Sequence, residues 1–156
     1  MYIPMVVALM LVFPLLAAVL QLSGEHGALT AATIIPIIAK WYVFWAVGVR
    51  LSSAGIRQIA QPRYTAEKIL GIKGEDAQLL VRELGFANVA IGCVGLASLG
   101  APSWVLPVAA AAAIFYGLAG INHLLHGHSN KLQTVAMVSD LFAAMVLAVC
   151  VVAPII

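Results

Sequence analysis

An all-α membrane bundle with five transmembrane helices is the fold this sequence predicts, and three observations carry the prediction. Of its 156 residues, 63% are hydrophobic and only 9% carry a charge. A soluble domain holds about 25% charged and 45–50% apolar residues, so this chain would expose too much apolar surface in water. Mean hydropathy is +1.07. Finally, the apolar residues fall into five runs, each near the roughly 20 residues needed to cross a bilayer. The expected helices cover about residues 3–22, 33–60, 77–99, 104–125 and 132–154 of one membrane domain, with a polar loop at 61–76. No dense basic patch supports nucleic-acid binding.

The first run lacks a Lys or Arg flank and exceeds the length of a signal-peptide core, so it reads as a spanning helix with a kink at Pro14. Glu25 and His26 follow in a polar turn. The second run starts near Thr33, which puts Pro36 in a first turn, where a missing amide costs nothing. Lys40 can snorkel to the headgroups, beside an interfacial cluster of Trp41, Tyr42 and Trp45. Deeper in the same run stands Arg50. With Ala54, Arg57 and Gln61 it forms one stripe at helical spacing. A charge at membrane depth is costly and faces a partner or a polar cavity.

The loop QPRYTAEKILGIKGED is the only sizeable hydrophilic connection, and TAEKIL within it can form a short interfacial helix capped by Thr65. In the third run Gly85, Asn88, Gly92 and Gly95 make a stripe of small residues that lets another helix approach closely. Asn88 can hydrogen-bond across that seam, or the stripe is packing alone. The fourth run places Tyr116 and His123 on one face, and the fifth does the same with Gln133 and Asp140. Cys93 and Cys150 lack a CxxC spacing and read as small buried apolar residues.

Orientation follows from loop charge. Arg57, Arg63, Lys68, Lys73 and Lys131 gather on one side, and the opposite loops hold no Lys or Arg. The positive-inside rule then predicts a cytoplasmic N-terminus and an outer C-terminus in a bacterial inner membrane. Counted from that side at about 1.5 Å per residue, Arg50 lies about 15 Å deep, Asp140 about 12 Å and Glu83 about 9 Å, with His123 near the boundary. Asp140 is therefore the expected partner of Arg50, through a forked pair. Glu83 is expected to meet Arg57 or Arg82.

These groups have two readings: ion pairs that fix helix register, or a polar site among apolar walls. The candidate ligand-binding residues are Arg50, Arg57, Glu83, Asn88, Tyr116, His123 and Asp140. No catalytic motif and no metal site is expected. His123, His126 and His128 lack a Glu-x-x-His motif or a cysteine partner and read as solvated interfacial histidines.

The segments FWAVGVRLSSAGIRQIAQP (44–62), ELGFANVAIG (83–92) and GINH (120–123) resemble the pattern of DoxX-like small multi-pass bacterial membrane proteins. The resemblance covers helices two to five. It implies a small helical membrane protein with an arginine and a glycine in an early helix, followed by a proline-containing exit. Some members are associated with quinone-linked redox complexes. The chain has one leading helix more than the four-helix pattern, and no catalytic residue carries over. The expected function is binding of a small amphipathic ligand, a lipid or quinone, in the cytoplasmic half. The alternatives are a proton-coupled transporter or an accessory subunit of a membrane complex. Helices two to five are expected to form the core with helix one peripheral, and the glycine seams to be capable of supporting a homo-oligomer.

Overall fold

The computed structural model describes residues 2–126 and 131–153, with the side chain of His126 excepted. It is an all-α polytopic membrane bundle whose five long helices are apolar and long enough to span a membrane. They are α1 (Tyr2–Ser23), α2 (Ala31–Ala60), α4 (Glu75–Ala97), α5 (Val105–His126) and α6 (Lys131–Val152). A short helix, α3, occupies residues 62–70 of the polar loop. The end of the expected fifth helix at Pro154 falls outside the described residues.

Two of the spans are not uniformly α-helical. In α1, Ala8–Val12 forms a π-turn just before Pro14. A proline ring crowds the carbonyl four residues back, and the wider turn relieves that crowding. In α2, Val43–Val49 is also a π-segment, and it ends at Arg50. Pro36 corrects the sequence reading. Because α2 begins at Ala31, Pro36 lies inside the helix rather than in its first turn. Neighbouring helices tolerate such a proline within a membrane bundle.

The two most extensive helix pairs are α2 with α4 and α5 with α6. The first is a contact of backbone on backbone. A Cβ built on Gly55 would stand 2.6 Å from the Gly85 carbonyl oxygen, and one on Gly95 would stand 2.9 Å from the Cα of Gly48. These glycines are consumed by packing within the chain. In the second pair, a Cβ on Gly120 would stand 2.7 Å from the Leu141 side chain.

The apolar core lies between α1, α2, α5 and α6, around Val43, Ala46, Val47, Ala109, Ala112, Ala143 and Leu147. This corrects the expectation that helices two to five form the core: α1, expected to be the most peripheral, shares that position with α4. Val6 and Met10 of α1 enter the core, whereas α4 reaches it only through the partly buried Ile91. α4 has spent its inward face on glycine. Tyr42 is likewise a core residue, 3% exposed, not part of an interfacial cluster. Cys150 is buried as expected, but Cys93 is exposed on α4.

The glycine register also staggers the helices. Beyond the Gly48–Gly95 contact, α2 runs on to Ala31, about 25 Å at about 1.5 Å per residue. α4 ends almost at once, at Ala97. At the other end Gly85 meets Gln58 and Ile59, so the first turns of α4 project beyond the end of α2.

Candidate functional site

Arg50 is the centre of the site. Its residue is 7% exposed, and Nη2 donates to Oδ1 of Asp140 at 2.8 Å and to Oγ of Ser139 at 3.0 Å. Ser139 can accept because its own hydroxyl donates to the Ala136 carbonyl at 2.9 Å. The expected Arg50–Asp140 pair is present, but it closes through a single guanidinium nitrogen instead of a fork. Nη1 is buried with no hydrogen-bond partner. The guanidinium carbon lies 4.9 Å from the centre of the Tyr116 ring, a cation–π distance.

The π-segment explains how Tyr116 is fixed. The backbone N–H of Arg50 donates to the carbonyls of Trp45 and Val47 and bypasses Ala46. The Tyr116 hydroxyl donates to the Ala46 carbonyl at 2.6 Å. Thus one irregular turn of α2 anchors the ring against which the Arg50 charge rests. α5 and α6 bring Tyr116 and Asp140 to α2 because their small residues let the pair pack tightly.

Beside this network is a cavity of about 190 Å³. Arg50, Arg57, Asn88, Tyr116, His123 and Asp140 all line it. Asn88 is 4% exposed and donates through Nδ2 to Oε1 of Gln58 at 2.7 Å, across the α2–α4 seam. Its Oδ1 is buried with no partner. Arg57 lies 3.7 Å over the ring of Tyr64, and no carboxylate pairs with it among the described residues. Six of the seven expected residues therefore share one cavity.

Glu83 does not. It is exposed and stands outside the cavity lining, so the expected pairing with Arg57 or Arg82 does not form. The stagger is the reason. Gly85 is level with the last turn of α2, so Glu83 belongs near the polar end of the bundle, not about 9 Å into the bilayer.

Residues the sequence reading left out complete the site. Tyr2 brings the start of α1 to the cavity, and Gln58, Tyr64 and Thr65 line it too. α3 is the larger surprise. The expected short helix is present, but Thr65 lies within it and is 7% exposed, so it is not a cap. Pro62 and Ala66 are buried as well. The segment folds back against the bundle and lines the cavity from the loop side. Its signal was present in PRYTAEKIL, where Tyr64, Ile69 and Leu70 are apolar residues that an open loop does not need. His128 and the side chain of His126 fall outside the described residues. Among the described residues no group of three or more His, Cys, Asp or Glu side chains is placed to hold a metal.

The fold and the site define a class: a multi-span membrane bundle closed around a buried ion-pair and hydrogen-bond network. More particularly, the chain belongs to the family of unknown function DUF6790, whose model matches residues 4–154. That match gives no link to the DoxX-like group. No curated protein and no solved structure matches the chain.

Proposed function

We propose that this protein binds a small amphipathic ligand, a lipid or quinone, whose polar head occupies the Arg50 cavity. The observation that carries the reading is the half-used guanidinium of Arg50. A buried donor without an acceptor costs about 1–3 kcal/mol, more for a charged group. A polar head reaching Nη1 offsets that cost. The size of the cavity supports a head and not a whole ligand. Complete ligand pockets run to about 300–1,000 Å³, well above the 190 Å³ found here. The remaining apolar part of the ligand would lie against the lipid-facing surface.

Arg57 adds a second positive charge, and Asp140 alone among the lining residues contributes a carboxylate, so the lining favours an acceptor-rich head. Lys and Arg gather on the loop side, and on that basis the site belongs to the cytoplasmic half of a bacterial inner membrane. The core favours binding over transport. Along α2, α5 and α6, the residues that separate this cavity from the far end include Ala46, Val47, Ala109, Ala112 and Leu147, all 0% exposed. Their side chains are apolar, and the Tyr42 hydroxyl is a polar group buried among them.

The test is extraction in mild detergent followed by mass spectrometry of the lipids and quinones that remain bound. Arg50→Ala and Asp140→Asn proteins that still elute as folded particles should lose the ligand. Equal retention in both would overturn the reading. Leu84→Trp, which crowds the cavity without touching its charges, should give the same loss.

A further inference from the structure

The end of the bundle far from Arg50 holds a second and larger cavity, of about 390 Å³. It arises from the stagger of α2 and α4. Where α4 stops, the overhanging half of α2 has lost its glycine-matched neighbour, and the turn into α5 does not fill the space. Ile35, Ile37, Leu99, Pro102, Val105 and Leu106 give it hydrocarbon walls.

Its edge is different. Lys40 lines the cavity, and its Nζ lies 3.2 Å from Oε1 of Gln21 and 4.8 Å from the centre of the Trp41 ring. The same Gln21 oxygen accepts from Nε1 of Trp41 at 2.8 Å. Gln21 therefore holds the ammonium in place without neutralising it. No carboxylate pairs with Lys40 among the described residues. The cavity borders the Ser98–Pro102 turn between two spans, so the charge sits at a membrane face.

We propose that this cavity is a second binding site, for an acyl chain of an anionic phospholipid whose phosphate is held at Lys40. The chain finds apolar walls, and the headgroup's net negative charge, which a zwitterionic lipid lacks because choline offsets its phosphate, supplies the countercharge that the protein lacks. The volume falls within the range of about 300–1,000 Å³ usual for ligand pockets. Trp41 stands beside the ammonium, where an indole meets headgroups readily. This site is independent of the Arg50 cavity, because the core separates them.

The test is native mass spectrometry of delipidated protein titrated with phosphatidylglycerol and with phosphatidylcholine of identical chains. The expected result is a preference for phosphatidylglycerol of about fivefold or more, the effect of one lysine near an anionic lipid. Lys40→Gln should abolish the preference. Leu106→Trp should weaken both lipids by narrowing the walls, with the charge intact. Arg50→Ala should leave the preference unchanged, even if it strips a ligand from the other cavity. Equal affinity for the two lipids, or a preference that survives Lys40→Gln in a folded protein, would overturn the proposal.

Discussion

Arg50 and Asp140 are more consequential as a pair than either is alone. Removing one partner of a buried ion pair leaves an uncompensated charge and costs about 3–5 kcal/mol, whereas replacing both with apolar residues is often neutral. Asp140→Leu should therefore destabilise the protein by about 3 kcal/mol or more. The double variant Arg50→Met/Asp140→Leu should recover most of that loss. Denaturation in mixed micelles followed by circular dichroism measures both. Tyr116→Phe tests the neighbouring contact. It leaves the Ala46 carbonyl, now bonded at 2.6 Å, without the Tyr116 donor, and should cost about 1–3 kcal/mol in the same assay. The pair was legible in the sequence because both residues interrupt apolar runs at similar depth. Ser139 was not, since a serine in a membrane helix bonds its own backbone as readily as a neighbour. Nor was the single-nitrogen geometry, which depends on rotamers that spacing does not reveal.

Among the elements, the α2–α4 seam sets where everything else stands. Gly55→Ala should wedge the helices apart and cost about 1–3 kcal/mol, the usual range for overpacking. Gly27→Ala is the control, because nothing lies within 4 Å of the added carbon. It should stay within about 0.5 kcal/mol. Half of this seam was visible in the spacing of Gly85, Gly92 and Gly95. The other half, Gly48 and Gly55, has the same seven-residue interval as Gly85 and Gly92, and matching the two intervals would have given the stagger. Depths counted from loop ends alone put Glu83 too deep, because they leave out that interval match. Pro14 marked a kink in α1, but the π-segment of α2 was not legible, because apolar content is the same in α and π turns.

For the molecule as a whole, the five spans were readable because composition alone forces them, while the docking of α3 beside the cavity depends on tertiary contact. Gly71, which ends α3, has φ 73°. A β-branched residue is strained in that left-handed conformation. Gly71→Val should loosen α3, seen as faster hydrogen exchange in residues 62–70 with unchanged exchange in α5 and α6. Equal exchange would show that α3 is held by its buried residues alone. The distance along the chain between Arg50 and its carboxylate partner has a further consequence, for biosynthesis. The two residues are 90 positions apart. At about 5–20 residues per second the ribosome delivers Asp140 roughly 5–20 s after Arg50. Throughout that interval α2 must enter the bilayer with its charge unmatched. A central arginine costs about 2.5–3.5 kcal/mol on insertion scales, so the helix must carry enough apolar residues to be accepted alone. The long apolar stretch before Arg50 is thus a requirement of the order of synthesis as well as of the finished fold.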